Sequence, residues 1–301
     1  VCFAPLDNGI TVDTDPAFGM GGPETAFNGV LFFGIFISTM LILFEGARGK
    51  WIIMLPSSLG LISMTFGVWN YWNDESMAGP LPKYMSIIVT LIYIGGYVSL
   101  RSEGVNEGLS DFKPGLKVKD KIAMISLILL VLAGLFYSIR MIFTPNDVIA
   151  EGFPANYEGS LSTAAGLGTP LPTQVSVTGS LILVYTLWSA LVLMDGASGK
   201  WAVLHPSAFA FITATASLYI ALIAGTARNA SEANQMDALT GAVVMLLVLI
   251  SYFRLKGEGM EDGMTFMGKP VEDESGFTNS LLLFALIIGA LFTINVVLLG
   301  S

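Results

Sequence analysis

The sequence predicts an all-α integral membrane protein with about eight transmembrane helices, arranged as two tandem parallel four-helix repeats. Three observations lead to this fold class: the composition, eight long apolar segments, and a motif that occurs twice. Hydrophobic residues make up 53% of the 301-residue chain, charged residues make up 12%, and the mean hydropathy is +0.71. Because a soluble domain carries about 25% charged residues, this composition indicates a chain that lies largely in lipid.

The same composition excludes several functional classes. The net charge of −9 has the wrong sign for binding nucleic acid. The single cysteine, Cys2, excludes an intrachain disulfide, an iron–sulfur cluster and a cysteine-based zinc site. The single histidine, His205, excludes a bis-histidine haem and a histidine-rich copper or di-iron site. We therefore expect no metal site, no bound cofactor and no nucleic-acid partner.

Eight segments are long and apolar enough to cross a bilayer, which requires about 20 mostly apolar residues. The third and seventh are short and are expected to extend by a turn or to lie where the bilayer is thin. In chain order the segments are 26–44, 51–72, 84–100, 122–143, 176–194, 201–226, 238–253 and 278–299.

The distribution of basic residues predicts the orientation. With the N-terminus outside, 11 of the 14 Lys and Arg residues fall in inside loops, as the positive-inside rule requires. Both termini are then expected on the outer side, most simply the periplasmic side of a bacterial inner membrane. The chain begins with Val1 rather than Met, and its acidic segment 1–25 is expected outside and must therefore cross the membrane. We expect a signal peptide to have been cleaved. Tag removal or truncation is the alternative.

A seven-residue motif defines the repeat. The acid-Gly-Ala-x-Gly-Lys-Trp pattern at 45–51 recurs at 195–201, an offset of 150 positions. Glu103-Gly104 and Gly108 recur as Glu258-Gly259 and Gly263 at an offset of 155. Because four helices are an even number, both copies have one orientation and are related by an axis along the membrane normal.

The repeat divides the chain into two halves. The first four-helix half is 26–143 and the second is 176–301. An outward-facing connector over 144–175 joins them, and its Gly, Ser, Thr, Ala and Pro content predicts irregular structure.

The repeated turn has two interpretations. The structural one is a tight connection in which glycines adopt positive φ, the lysine suits the C-terminal end of the first helix, and the tryptophan begins the next helix at headgroup depth. The functional one is an anion cradle of backbone N–H groups and lysine. Since only the first copy has Arg48, the structural interpretation is favoured. The residues concerned are Glu45, Gly46, Gly49, Lys50, Trp51, Asp195, Gly196, Gly199, Lys200 and Trp201.

Two further positions lie just after these turns. Pro56 and Pro206 each either interrupt a helix that begins at the tryptophan or begin the helix themselves. His205 lies about one turn inside the sixth span and is a possible pocket residue, although a lone histidine is more often a packing residue. No Asp, Glu or Lys falls in the middle third of a predicted span, so we expect no proton pump built on carboxylates.

Three functions remain open, and none is enzymatic because no catalytic constellation is present. The first is a structural or accessory subunit of a larger membrane assembly, packed through small and methionine-rich helix faces. Its partners would be the bilayer, other subunits or further copies of itself, and its acidic outer face suits cations or a basic partner. The second is a channel or transporter for a small neutral solute along the axis between the repeats.

The third function comes from a likeness in topology. Eight helices with both ends outside resemble, in count and topology alone, the quinol-oxidising membrane anchors of molybdenum oxidoreductases. This resemblance implies a quinol-linked anchor of a redox complex, and no shared motif accompanies it.

Cysteine labelling tests the predicted orientation. In a Cys2→Ser background, Ser110→Cys should be protected from a membrane-impermeant maleimide added outside, whereas Ser160→Cys should react. The expected difference follows from the basic residues that place the first site inside and the second outside. The reverse pattern would contradict the topology.

Overall fold

A computed structural model describes residues 22–72, 80–152, 172–223, 232–266 and 269–271. This part of the chain is almost entirely helical, with two short 3₁₀ turns at Leu100–Glu103 and Lys256–Glu258 and a small antiparallel pair of strands, β1 (Thr265–Phe266) and β2 (Lys269–Pro270). The helices are α1 (Gly22–Glu45), α2 (Trp51–Asn70), α3 (Leu81–Ser99), α4 (Lys121–Phe143), α5 (Pro145–Gly152), α6 (Pro172–Asp195), α7 (Trp201–Ile223) and α8 (Glu232–Leu255).

The helices confirm an all-α chain with several apolar spans. Six of them contain segments long and apolar enough to cross a membrane, with mean hydropathies between 1.4 and 2.6. Over its described side chains, α7 gives a shorter apolar segment, Trp201–Ala216. Each of the first seven predicted spans coincides with one of these helices, whereas the eighth, 278–299, lies outside the described residues. The total of eight spans therefore stays a prediction.

The two described ends of the connector are helical rather than irregular, and residues 153–171 lie outside the described part of the chain. Pro145–Gly152 forms α5, and α6 begins at Pro172 rather than near 176, so the expectation of irregular structure throughout 144–175 was wrong. Proline suits the first helical position because the N–H that it lacks would have no partner within the helix. Asp147, in the first turn of α5, interacts favourably with the positive end of the helix dipole.

The helices of the two predicted halves are interleaved. Helix α1 packs along α7, and α2 packs along α6, whereas α1 and α2 make few contacts although they are consecutive in sequence. Helices α6 and α7 likewise make few contacts with each other. Helix α1 therefore finds its main partner in α7 and α2 finds its main partner in α6, each in the other half, whereas α6 itself packs most extensively on α4. Helix α4 adds to this arrangement by packing on both α6 and α8.

Glycines allow α6 to lie very close to its neighbours. A Cβ built on Gly179 of α6 would lie 2.5 Å from the Cβ of Met141 and 3.1 Å from the carbonyl oxygen of Ser138, both on α4. On the other side, a Cβ on Gly60 of α2 would lie 2.1 Å from Cγ2 of Val184. Small residues at such contacts are typical of helix association in membranes, where close van der Waals packing replaces the hydrophobic effect.

Aromatic side chains fill the space between α1, α6 and α7. The ring of Tyr185 packs edge-on against Trp188 at 5.0 Å and against Phe211 at 5.4 Å between ring centroids. Its hydroxyl donates a hydrogen bond of 2.7 Å to the carbonyl oxygen of Leu31 on α1. Gly34, one turn further along α1, leaves room for this hydroxyl, since an added Cβ would lie 2.2 Å from it.

Substitution of Gly179 tests the close approach of α4 and α6. Gly179→Ala should destabilise the protein by roughly 1–3 kcal/mol, because the new methyl group meets the Cβ of a neighbouring residue and a carbonyl oxygen rather than a mobile side-chain end. Gly95→Ala on α3 is the matched control, as no atom lies within 4 Å of its built Cβ, and it should be neutral or slightly stabilising. Thermal unfolding in detergent measures both. Equal melting temperatures for the two variants would contradict the packing.

Candidate functional site

Both repeated turns adopt the tight conformation expected from their glycines. Gly46 and Gly49 have φ values of 82° and 70°, and Gly196 and Gly199 have φ values of 88° and 68°. Side chains other than glycine rarely adopt such values. We call the end of the helix bundle that carries these two turns the turn end.

Each turn is bonded to the next connection at the same end. Gly49 N–H donates to the carbonyl oxygen of Gly104 at 3.0 Å, and Trp51 N–H donates to that of Val105 at 2.9 Å. The second copy repeats the pattern: Gly199 N–H donates to Gly259 at 2.9 Å, and Trp201 N–H donates to Met260 at 3.1 Å. These bonds occupy N–H groups at the starts of α2 and α7, which the helices cannot satisfy themselves.

The bonding pattern bears on the anion-cradle interpretation. Lys50 and Lys200 also donate their backbone N–H groups within the turns, to the carbonyl oxygens of Ala47 and Ala197, each at 3.0 Å. A cradle requires several backbone N–H groups that converge on the ligand. Three successive N–H groups of each turn already donate to carbonyl oxygens of the protein and cannot converge on an anion. The geometry therefore favours a structural role.

The turns differ at the acidic residue, Glu45 or Asp195, and at Arg48 or Ser198. Arg48 and Ser198 bond the turn to the next connection in different ways. Arg48 makes a two-pronged ion pair with Glu107, with Nη2 to Oε1 at 2.8 Å, and this pair lowers the pKa of Glu107 below its usual value. In the second copy, Ser198 Oγ donates to Asp262 Oδ2 at 2.9 Å. Both contacts tie the turn to the connection beneath it.

The lysines of the two turns make different contacts. Lys50 immediately precedes α2, and its Nζ lies 5.6 Å from the ring centre of Trp201 in the other turn. Burial lowers the pKa of Lys50, against the opposing effect of Glu45. Lys200, by contrast, reaches back to the end of α6, where its Nζ lies 2.9 Å from Asp195 Oδ2.

The two tryptophans begin α2 and α7, as predicted, and their side chains are buried within the protein. Their depth in the membrane stays a prediction. Trp51 and Trp201 are each only 6% exposed. Trp51 packs on Phe112 with ring centroids 5.6 Å apart, so its ring is enclosed by the connection between α3 and α4. Pro56 and Pro206 lie inside α2 and α7, so both helices begin at the tryptophans.

A cluster of four polar side chains lies beside the second turn and includes the chain's single histidine. The hydroxyl of Tyr252 lies 3.1 Å from Nδ1 of His205, and Nε2 of His205 lies 3.9 Å from Oε1 of Glu261. Lys256 Nζ lies 3.2 Å from the same Oε1. The side chains of His205 and Glu261 are each 10% exposed. His205 is thus hydrogen-bonded and largely buried, and its role as a pocket residue stays a prediction.

The first half has a counterpart of this cluster that lacks the histidine and the carboxylate. Tyr97 takes the place of Tyr252, and its hydroxyl donates to Oδ1 of Asn106 at 2.7 Å. Arg101 lies 5.9 Å from the ring of Tyr97, as Lys256 lies 5.6 Å from that of Tyr252. These residues were missed from the sequence, although Tyr97 and Tyr252, Arg101 and Lys256, and Asn106 and Glu261 are all 155 positions apart.

A second contact that the sequence did not predict joins the halves. Glu258 accepts hydrogen bonds from the backbone N–H groups of Lys119, at 2.9 Å to Oε1, and of Asp120. Asp120 caps α4 by accepting from Ile122 N–H at 3.0 Å. Its pairing with Arg254, followed by the bond from the backbone of Ala123, lowers the pKa of Asp120. The end of α8 thereby fixes the start of α4.

No family model, characterised protein or solved structure matches the chain. Within the residues that the structure describes, no group of three or more His, Cys, Asp or Glu side chains is arranged to hold a metal ion. The site must therefore be interpreted from its own geometry, which consists of two backbone-bonded turns and one polar cluster beside the second.

Four single variants separate the structural and anion-binding interpretations of the turns. Gly49→Val and Gly199→Val should lower the melting temperature and the membrane yield, because a β-branched residue at positive φ is strongly disfavoured. Lys50→Ala and Lys200→Ala should have milder effects, as a charge near a helix end contributes about 0.3–1 kcal/mol. Stable glycine variants, together with stable lysine variants that have lost function, would refute the structural interpretation.

Proposed function

We propose that this chain is a non-catalytic structural or accessory subunit of a larger membrane assembly. The observation that carries the proposal is the filled interior among α1, α2, α4, α6 and α7. Gly179 and Gly60 bring α6 against two neighbours, and Tyr185 closes the third side with a bond of 2.7 Å to the backbone of α1. A close-packed interior suits a rigid scaffold better than a conducting path.

The proposed architecture has eight spans in two parallel repeats. Two features of the described part support this duplication. The turns that begin α2 and α7 have the same backbone bonds. The packing of α1 on α7 also corresponds to the packing of α6 on α2. We place the turn end on the inner side of the membrane, since the basic residues concentrate in its connections. Other subunits, or further copies of this chain, would then contact the remaining apolar helix faces.

The alternatives make different demands on the structure. A channel along the axis needs a continuous gap between the halves, and the buried rings of Tyr185 and Trp188 occupy the region where α1 and α7 meet α6. A quinol-linked anchor needs acidic and basic groups beside a quinone. The His205 cluster supplies such groups, but Glu261 already contacts Lys256 at 3.2 Å.

Native mass measurement tests the proposal directly. The tagged protein is solubilised from its own membrane in mild detergent and compared with the same chain expressed alone in an unrelated host. We expect a defined particle heavier than the 32.1 kDa chain from the native source, with a fixed stoichiometry that is absent from the unrelated host unless the partner is a second copy. A monomer from both sources would contradict an accessory role.

Two measurements on the same preparations separate the alternatives. Proteoliposomes of the purified chain should swell in urea or glycerol gradients no faster than empty liposomes, and faster swelling would favour the channel. Extraction of the native particle should yield no quinone in molar proportion to the chain. A stoichiometric quinone would favour the redox anchor.

A further inference from the structure

The polar cluster at the turn end differs between the halves in one specific way. The residues that hold its framework correspond: Tyr97 with Tyr252, and Arg101 with Lys256. At the remaining two positions, uncharged Leu55 and Asn106 are replaced by His205 and Glu261. The replacement therefore introduces two groups that can change charge into a framework that the first half builds without them.

In the first half, the tyrosine hydroxyl bonds directly to the side chain 155 positions before Glu261, whereas in the second half an imidazole separates the two groups. The tyrosine hydroxyl of the first half reaches Asn106 at 2.7 Å. In the second half, the imidazole of His205 lies between the hydroxyl of Tyr252, 3.1 Å from Nδ1, and Oε1 of Glu261, 3.9 Å from Nε2. The result is a chain of hydroxyl, imidazole and carboxylate in which each ring nitrogen has a polar neighbour.

The charges around the imidazole come from identifiable elements. Glu261 and Lys256 approach from the segment after α8, and Tyr252 approaches from α8 itself. From the α1–α2 turn, Lys50 lies over Trp201, one helical turn before the histidine, and Glu45 is bonded to Thr265. Lys200, which immediately precedes the helix of His205, pairs with Asp195. Glu261 is therefore the acidic group closest to His205 in the described part of the chain.

We propose that His205 and Glu261 form a proton-binding site at the turn end of the second half, with Lys256 as a competing cation for the carboxylate. In the neutral state, the hydroxyl of Tyr252 donates to Nδ1, and Nε2 carries its hydrogen towards Glu261. A proton taken from solvent then binds to Nδ1. The hydroxyl of Tyr252 rotates to accept from it, and Nε2–H forms an ion pair with Glu261.

The surrounding charges give this site a distinct chemical signature. Burial and the nearby ammonium of Lys256 oppose the charged imidazolium, whereas the nearby carboxylate of Glu261 favours it. The site therefore links the acidity of the compartment at the turn end to the contact between α7 and the segment that follows α8.

The chain itself provides an unambiguous probe, because His205 is its single histidine. The full-length protein, carrying no histidine tag, is labelled with ¹⁵N-histidine and reconstituted in nanodiscs. The imidazole ¹⁵N shifts are then followed between about pH 2.5 and 8, so that a lowered midpoint stays within the range. We expect one titration. Glu261→Asn should weaken proton binding about tenfold, lowering the midpoint by about one pH unit, and Lys256→Gln should strengthen it.

Matched variants in the first half serve as controls. Arg101→Gln and Asn106→Gln change the corresponding positions around Tyr97 and should leave the midpoint unchanged. An imidazole that stays neutral throughout the range, or a midpoint that neither second-half variant moves, would overturn the proposal. The titration is a property of this chain alone, so its outcome is independent of the native mass that tests the accessory-subunit proposal.

Discussion

The structure depends on the need to satisfy backbone N–H groups at the starts of α2 and α7. These groups have no partner within their own helices, and an unpaired one away from water costs about 1–3 kcal/mol. The carbonyl oxygens of the next connection supply the partners, with bonds of 2.9–3.1 Å at Gly49, Trp51, Gly199 and Trp201. Positive-φ glycines bend each turn so that these bonds form. The bonds in turn bury the tryptophans and position the polar clusters.

The two clusters show how one framework supports different chemistry. Tyr97 and Tyr252 have corresponding positions and each has a cation near its ring. In the first half, the hydroxyl of Tyr97 bonds directly to the amide oxygen of Asn106. The second half places an imidazole between hydroxyl and carboxylate, a change confined to two side chains. The glycines and the turn bonds that hold the two clusters are the same in both halves. The clusters therefore differ in their side chains on a common backbone arrangement.

The sequence was most informative where a single physical requirement dominates. Seven of the eight predicted apolar segments lie in the described part of the chain, and each is helical there. The glycine spacing predicted the tight turns. Both features depend on local chemistry. The sequence was less informative where the outcome depends on distant partners. The burial of Trp51 requires Phe112 from another connection, and the position of Lys50 depends on the other turn. Helix α5 was missed because the surrounding composition obscured the proline that starts it. The partners of His205 were recognisable only by extending the 155-residue correspondence to Tyr252 and Glu261.

The interleaving of the helices has a consequence for how the protein is made. Helix α1 leaves the ribosome long before α7, its main partner, has been synthesised. During that interval, the contact surface of α1, including Gly34, must be covered by lipid, by the insertion machinery or by a chaperone. The same holds for α2 until α6 follows. Insertion into the membrane and assembly of the bundle are therefore separate stages in time, and a ribosome that stalls within the connector would leave a first half whose inner helices lack their main partners.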